Sequence, residues 1–122
     1  MPQLEQIARD LGRPHSIVDI GCGLGGVLRW MCERSSAAGI GIDYSPVAVD
    51  AARREHAAAN LRFHVGTASA TGIETSTCDG LVSIDVLQFT EPHSAVREIA
   101  RVLQRGGRAA IRTWELREGA EV

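Results

Sequence analysis

A glycine-rich run near the start of the chain is the stretch best suited to hold a ligand. It reads Gly-Cys-Gly-Leu-Gly-Gly over residues 21–26, directly after a short β-branched segment. Glycine adopts positive φ angles readily and lets backbone N–H groups approach a ligand closely. The helix expected after the run presents free N–H groups and the positive end of its dipole, which suit a carboxylate or a phosphate. The run therefore predicts a binding loop between a strand and a helix.

Two carboxylates accompany this loop and indicate what it binds. Asp43 is predicted at the end of the next strand, where a carboxylate can accept two hydrogen bonds from a ribose diol, so the pattern favours a nucleoside cofactor. Gly21, Gly23 and Gly26 satisfy the dinucleotide fingerprint G-x-G-x-x-G, and a nicotinamide dinucleotide therefore stays among the candidates. Asp19, two residues before the first glycine, would repel a pyrophosphate and suits a positively charged cofactor better.

The same residues also have a purely structural interpretation. In it the glycines only form a tight turn, and Asp43 only supports the start of the next helix, for which Ser45 is the predicted N-cap and Pro46 the first helical position. The glycine run, the acid and the strand–turn–helix context occur together, and this combination favours the ligand site.

Five short strands that alternate with helices position these residues. Apolar periodicity predicts strands at 16–20, 39–43, 61–65, 80–86 and 108–114 and helices at 4–11, 27–34, 47–59 and 92–103. Residues 66–77 are expected to form a loop or a short helix, and residues 105–107 a turn. The apolar residues expected to face the sheet are Val27, Trp30 and Met31 on the second helix and Val96, Ile99, Ala100 and Leu103 on the last. Such alternation implies an α/β fold with a doubly wound parallel sheet covered on both faces.

The composition narrows the classes of function. The 122 residues suffice for one domain over residues 1–122, and the net charge of -2 indicates neither a basic nucleic-acid face nor a polybasic membrane anchor. All 13 cationic residues are Arg, which excludes a Schiff-base lysine and a Walker-type phosphate loop. No apolar run approaches the ~20 residues of a membrane span. We therefore expect no nucleic-acid and no membrane partner.

The cysteines and histidines predict no metal site. Cys22, Cys32 and Cys78 form no C-x-x-C pair, and the four histidines are scattered along the chain. The odd number of cysteines and the absence of a signal-like start indicate reduced thiols and a cytoplasmic location. Cys22 lies near the expected helix start, where a thiolate is stabilised, but its small size explains its place in the loop better.

Four motifs in a fixed order extend the pattern beyond the loop. The first, Val-Asp-Ile-Gly-Cys-Gly-Leu-Gly-Gly over residues 18–26, resembles motif I of the class I S-adenosylmethionine-dependent methyltransferases, whose core pattern is D-x-G-x-G-x-G. The stretches that resemble this family's second strand and helix, its fourth strand, and the helix and turn before its fifth strand are residues 41–53, 78–89 and 97–108. The resemblance is closest to the small-molecule methyltransferases. It implies a Rossmann-like core with strand order 3-2-1-4-5, S-adenosylmethionine as cofactor, and methyl transfer to a small-molecule acceptor.

The resemblance also implies roles for the loop residues. Asp19 would contact the amino-acid end of the cofactor, directly or through water. Gly21, Gly23 and Gly25 would let the backbone pass beneath the cofactor, and Cys22 between them is predicted to be a cofactor-binding residue of the same loop.

Further roles are implied on the adenosine side. Asp43 would hold the ribose hydroxyls, Tyr44 would pack against adenine, and Ala68 would offer its backbone N–H to the adenine ring. Asp85 would lie near the methionine moiety and the mouth of the substrate site. The family commonly has Gly-Asp-Ala after the third strand, but here Thr67 stands in place of the acid, and a neutral hydroxyl is a weaker acceptor than a carboxylate. This hydroxyl and the serine two residues later are the candidates to replace the missing acid.

No catalytic base is assigned from the sequence. Methyl transfer from a sulfonium is an in-line displacement that needs a base only when the nucleophile must lose a proton. The candidates beyond the fourth and fifth strands are Asp85, Gln88, Glu91, His93, Trp114 and Glu115. Glu91 and His93 also fit a simpler role as first-turn residues of a helix, and Trp114 fits a packing role.

The sequence holds most of the family's cofactor half and little of its substrate half. The family's sheet normally continues past the fifth strand with another helix and an antiparallel strand pair, which are not recognised here. The fifth strand would then present an open edge, covered by a second copy, a partner or a further segment. The interpretations that stay open are a truncated methyltransferase, a short chain completed by a partner, a cofactor-binding module without transferase activity, and a nicotinamide-dependent oxidoreductase half.

Overall fold

Nine helices and strands follow one another in the computed structural model, which describes residues 2–84, 86 and 90–112. In chain order they are α1 (Pro2–Leu11), β1 (Ser16–Ile20), α2 (Gly26–Ser35), β2 (Ala38–Asp43), α3 (Pro46–Glu55), β3 (Leu61–Val65), β4 (Cys78–Ile84), α4 (Pro92–Val102) and β5 (Leu103–Arg112). The strands form one sheet in the order β3-β2-β1-β4-β5, and every pairing is parallel. The predicted doubly wound α/β fold and its strand order are therefore confirmed.

Two apolar cores cover the two faces of this sheet. On one face α1, α2 and α3 pack on the strands, with Leu28 of α2 and Val49 of α3 fully buried. On the other face α4 packs together with Ala68 and Ile73 of the loop between β3 and β4. This loop, residues 66–77, contains no helix, as the sequence analysis allows, and a single isolated bridge joins Thr67 to Ala70 within it. A loop therefore covers a part of the sheet that a crossover helix commonly covers.

The predicted bounds need correction at α3, β4 and β5. Strand β4 runs over Cys78–Ile84 rather than over residues 80–86. Helix α3 ends at Glu55 rather than at residue 59, because Asn60 leaves the helical path to bond the start of β2: its side chain donates to the Ala37 carbonyl, and its own carbonyl accepts from Gly39. Strand β5 begins at Leu103, so the predicted turn at 105–107 lies inside the strand. Gly106 has a φ of 83°, and the pairing of β5 with β4 shifts register between residues 78 and 80. The expected turn is therefore an irregularity within the strand. The predicted end of this strand at 114 lies outside the described residues.

The predicted inward face of α4 is partly wrong. Val96 and Ala100 are exposed, whereas Ala95, Ile99 and Val102 are buried together with the charged Glu98. The buried face of α4 thus includes a carboxylate, which the apolar periodicity of the sequence does not predict. On α2 the correction is smaller, since Leu28 and Cys32 join Met31 in the buried set while Val27 and Trp30 are partly buried.

The outer edge of β3 is closed by a side chain. Arg53 of α3 donates from Nε to the Phe63 carbonyl at 2.9 Å, and Leu61 donates its N–H to Ala58. Strand β5 is the outermost strand on the other side of the described sheet. That a second copy, a partner or a further segment covers its edge stays a prediction. None of the described helices is long and apolar enough to cross a membrane.

Candidate functional site

A cavity of about 520 Å³ lies at the carboxyl edge of the sheet, where the loops after β1, β2 and β3 meet. The predicted site residues in its wall are Gly21, Asp43, Tyr44, Thr67 and Ala68. The residues of the wall that the sequence analysis did not name are Ile20, Gly66, Val86 and Thr90. Ile20 and Gly66 adjoin predicted residues, and their place in the wall follows from that adjacency. Nothing in the sequence distinguished Val86 and Thr90 from their neighbours.

The glycine loop uses its conformational freedom at alternate positions. Gly21, Gly23 and Gly25 have φ angles of 80°, 54° and 89°, whereas Gly26 begins α2. Positive φ thus follows the spacing D-x-G-x-G-x-G rather than G-x-G-x-x-G. A Cβ atom on Gly21 would lie 2.1 Å from the Val86 side chain, so only glycine fits between the loop and this wall of the cavity. A Cβ atom on Gly23 would meet no atom within 4 Å, which leaves the loop open above the sheet.

Asp43 is held at the end of β2 by two backbone amides. Its Oδ2 accepts from the N–H of Gly23 at 2.9 Å, and its Oδ1 accepts from the N–H of Ser45 at 3.0 Å. Ser45 itself caps α3, since its hydroxyl accepts from the N–H of Ala48 at 3.2 Å. Ser45 rather than Asp43 therefore caps α3. Each oxygen keeps a lone pair for a further donor, which is what a ribose diol requires.

Asp19 is buried in β1 and has no hydrogen-bond donor among the described residues. It is 4% exposed and lies in register between Gly41 of β2 and Val82 of β4. Burial, followed by the negative charge of Asp43, raises the pKa of this carboxyl to about 7. The structure places Asp19 outside the cavity wall, so a contact with the cofactor's amino-acid end stays a prediction, with a water-mediated route as the more compatible one.

Cys22 is a packing residue within the loop. Burial, and then the charges of Asp19 and Asp43, raise the pKa of its thiol to about 12, so the side chain is a thiol at neutral pH. A Cβ atom on Gly41 would lie 2.8 Å from Cys22 Sγ, which shows how closely the loop packs on β2. Both observations agree with a small apolar role for this cysteine.

The adenosine side of the cavity combines an exposed aromatic ring with a short backbone turn. Tyr44 is 79% exposed and leaves its ring free at the cavity mouth. Thr67 and Ala70 exchange backbone hydrogen bonds of 3.1 and 3.2 Å, and Ala68 between them is buried. The hydroxyls of Thr67 and Ser69 lie 3.5 Å apart, so both candidates to replace the missing acid are on this turn. The predicted contact of the Ala68 N–H with adenine stays a prediction.

The candidates for a catalytic base gain no support. Glu91 is the N-cap of α4 and accepts from the N–H groups of His93 and Ser94 at 3.0 and 2.7 Å. Hydrogen bonds from Ser94 and His93 lower the pKa of this exposed carboxyl, which suits a cap rather than a base. Asp85, one of the predicted cofactor residues, lies outside the described residues. The other candidates outside them are Gln88, Trp114 and Glu115.

The part of the chain that the structure describes contains no cluster of candidate metal ligands. Within residues 2–84, 86 and 90–112, no three histidine, cysteine or acidic side chains come together as metal ligands would. The three cysteines are free and buried.

Fold and site together define a nucleoside-cofactor domain of the doubly wound class. A protein family described as a methyltransferase domain matches residues 18–111. The chain is 34% identical to the chloroplastic tocopherol O-methyltransferase of Arabidopsis thaliana over 103 residues, which are 80% of this chain and 30% of that protein. It is 28% identical to the tRNA (carboxymethyluridine(34)-5-O)-methyltransferase ALKBH8 of Macaca fascicularis over 121 residues, covering 96% of this chain and 17% of that protein.

A solved structure of geranyl diphosphate methyltransferase in complex with SAM shares the fold. Its TM-score is 0.85 at 23% identity, over 90% of this chain and 47% of that one. The chain belongs to the methyltransferase-domain family, and the predicted class I S-adenosylmethionine-dependent methyltransferase family is thereby confirmed. The chain spans about a third of the length of the tocopherol methyltransferase that it matches.

Proposed function

We propose that this chain binds S-adenosylmethionine in the cavity and acts in the transfer of its methyl group to a small-molecule acceptor. The observation that carries the proposal is Asp43, whose oxygens are fixed in the cavity wall by the N–H groups of Gly23 and Ser45. A carboxylate held in this way is ready to accept from two vicinal hydroxyls without a loss of side-chain entropy on binding.

The charges around the loop fit this cofactor better than a dinucleotide. S-adenosylmethionine carries a sulfonium and an ammonium, whereas a nicotinamide dinucleotide carries a pyrophosphate. Asp43 lies in the cavity wall, and Asp19 lies near enough to Asp43 for their charges to interact. The charge of Asp43 attracts a cation and repels a pyrophosphate, and Asp19, whose raised pKa leaves it only partly ionised near neutral pH, adds to that charge when a cation binds. The absence of lysine from the chain removes one common counter-charge for phosphates.

The part of the reaction that this chain's residues perform is positioning. When bound, S-adenosylmethionine supplies an electrophilic methyl group on sulfur. Asp43 would hold the ribose hydroxyls, Tyr44 lies where it could pack on the base, and the glycine loop would let its backbone approach the ligand closely. Holding methyl and nucleophile in line accounts for much of the rate that such a displacement requires. No described side chain is assigned as a base. A base is needed only if the attacking atom of the acceptor must lose a proton.

A small-molecule acceptor is favoured over RNA by the charge of the chain. The net charge is -2 over 122 residues, whereas proteins that bind nucleic acids commonly present a basic face. One relative is named a tocopherol methyltransferase and another a tRNA methyltransferase, so both acceptor classes belong in the assay.

Calorimetry with S-adenosylhomocysteine and with NAD tests the cofactor. We expect binding of S-adenosylhomocysteine and none of NAD, and a loss of affinity of about tenfold in Asp43→Asn, because a charge-assisted acceptor is replaced by a neutral one. Asp50→Asn is the matched control, since Asp50 lies on the exposed face of α3 and is absent from the cavity wall. Binding of NAD alone, or equal affinities for the two variants, would contradict the proposal.

Turnover separates an enzyme from a binding module. Transfer of a labelled methyl group to a panel of phenols, amines and carboxylic acids, with a tRNA pool as a separate arm, is expected to label a small molecule. Labelled tRNA would replace the proposed acceptor class. Cofactor binding without any labelled product would favour the non-catalytic module.

A further inference from the structure

The loop between β3 and β4 reaches the cavity without a helix to fix it. Its turn at residues 67–70 forms part of the cavity wall through Thr67 and Ala68. On the upstream side Gly66 donates its N–H to the Asp43 carbonyl at 2.9 Å, so the turn starts from a fixed point on β2. Its downstream side must be fixed as well if the turn is to hold one position.

Thr71, the first residue after the turn, is fixed by a carboxylate from α4. Glu98 Oε2 accepts from the Thr71 N–H at 2.8 Å and from the Thr71 hydroxyl at 2.7 Å. Thr71 is 2% exposed and Glu98 8% exposed, so these bonds are protected from water. The Thr71 hydroxyl also accepts from the Ile73 N–H at 3.2 Å, so it connects Glu98 of α4 to the backbone of the loop.

Arg101 completes this cluster from the next turn of α4. Its guanidinium donates to both Glu98 oxygens at 2.7 and 2.9 Å and to the Ile73 carbonyl at 2.6 Å. The hydrogen bonds from Arg101, with those from Thr71, lower the pKa of Glu98 to about 2 against the opposing effect of burial. The carboxylate is therefore charged throughout the physiological range, and both of its oxygens accept hydrogen bonds.

We propose that Glu98 is a positioning residue of the cofactor site, which acts through Thr71 to hold the 67–70 turn at the nucleobase end of the cavity. The inference rests on the proposed function, since it assumes that adenine lies against this turn. Glu98 does not line the cavity, and its effect reaches the ligand only through the loop backbone. The same contact explains why a charged residue occupies the buried face of α4.

The test uses the full 122-residue chain with substitutions in the clamp formed by Glu98 and Thr71. Glu98→Gln keeps the shape but loses the charge pair, and Thr71→Val removes the hydroxyl. We expect both to bind S-adenosylhomocysteine about tenfold more weakly, because a loose turn must be ordered on binding. Thr71→Ser restores the hydroxyl and is expected to bind as the wild type does.

Two further readouts distinguish positioning from general stability. The wild type is expected to prefer S-adenosylhomocysteine to S-inosylhomocysteine, whose base lacks the amino group, and the two weakened variants are expected to lose much of this preference. Hydrogen exchange at the Thr67 and Ala70 amides, which bond across the turn, is expected to accelerate in them. Asp79→Asn is the matched control, because Asp79 accepts from the backbone of His15 and Ser16 at the opposite edge of the sheet.

The outcomes decide the inference separately from the proposed function. A wild-type chain that binds neither nucleoside overturns both. A wild type that binds, with Glu98→Gln and Thr71→Val folded and unchanged in base preference and amide exchange, overturns the positioning role alone. If Glu98→Gln does not fold, Thr71→Val decides. If Asp79→Asn lost the preference for the adenine base to the same extent, the positioning role of Glu98 would also be overturned. The loss would then follow from any weakening of the fold.

Discussion

Asp19 and Glu98 are both buried carboxylates, yet their surroundings are opposite. Asp19 lies in the centre of the sheet next to the glycine loop, and no described residue donates a hydrogen bond to it. Glu98 lies on α4 and accepts from the backbone and hydroxyl of Thr71 and from Arg101. The pKa of Asp19 rises to about 7, whereas that of Glu98 falls to about 2.

This difference shows that partners, more than burial, decide what a buried acid does. A carboxylate with a donor on each oxygen and an arginine beside it stabilises the fold, because the neighbouring groups compensate its charge. A carboxylate without donors costs stability and persists where a ligand or a function gives it a counterpart. Glu98 belongs to the first kind and Asp19 to the second, and substitutions can test that division.

The largest effect is expected for Asp19→Asn, measured by urea unfolding without ligand. The folded chain holds a proton on Asp19 up to a pH of about 7, whereas the unfolded chain loses it near 3.8. The wild type therefore loses stability relative to the variant as the pH rises from 4 to 8, by up to about 4 kcal/mol. The control variant Asp50→Asn keeps Asp19 and should lose stability with rising pH as the wild type does. A difference between wild type and Asp19→Asn that is independent of pH would contradict the assignment of Asp19 as an acid without partners.

Glu98→Ala is expected to act in the opposite direction. It leaves the Thr71 N–H and hydroxyl without their acceptor, which lowers the free energy of unfolding by about 3 kcal/mol at pH 7. Because the folded-state pKa of Glu98 is lowered, its contribution is complete above 4.5 and is lost as the pH falls toward 2. Unfolding at pH 7 and pH 3 should show the deficit shrink only at the lower pH. A deficit below that of an ordinary surface substitution would place Glu98 outside the clamp.

The smallest effect is expected where an acid is added at an exposed position. Thr67→Asp restores the family's carboxylate on the rim of the cavity, where it is neither desolvated like Asp19 nor engaged like Glu98. We expect S-adenosylhomocysteine to bind about threefold more tightly by calorimetry, since a charged acceptor is stronger than a hydroxyl. Thr67→Asn is the control of similar shape without the charge. Equal or weaker binding by Thr67→Asp would show that the existing hydroxyls already replace the acid.

Much of the fold followed from the sequence because local pattern and burial agree there. The β-branched segment of β1 and the alternation of β3 each predict their strands to the residue. The glycine loop and Asp43 were recognisable because backbone freedom and a strand-end acid are local features. The sequence also predicted Ser45 as a helix cap, and its hydroxyl accepts as a cap should.

What failed depended on contacts between distant residues. Glu98 meets Thr71 across 27 positions, a contact that no local pattern predicts, and the prediction that Val96 and Ala100 lie on the inner face of α4 was wrong for that reason. The irregularity at Gly106 likewise appears only when β5 pairs with β4. That Asp19 lacks a hydrogen-bond donor among the described residues depends on the residues packed around it, and the spacing of residues in the sequence does not predict this.

The way the 67–70 turn is anchored has a practical consequence for redesign. Both anchors lie outside the turn, at Gly66 on Asp43 and at Thr71 on Glu98, and the turn closes on its own backbone through Thr67 and Ala70. Its side chains take no part in either anchor, but Ala68 is buried in the core beside α4, so only the exposed positions 67, 69 and 70 can be exchanged without disturbing the packing. A library confined to those three codons would explore which nucleobases the cavity accepts while the α/β scaffold stays constant.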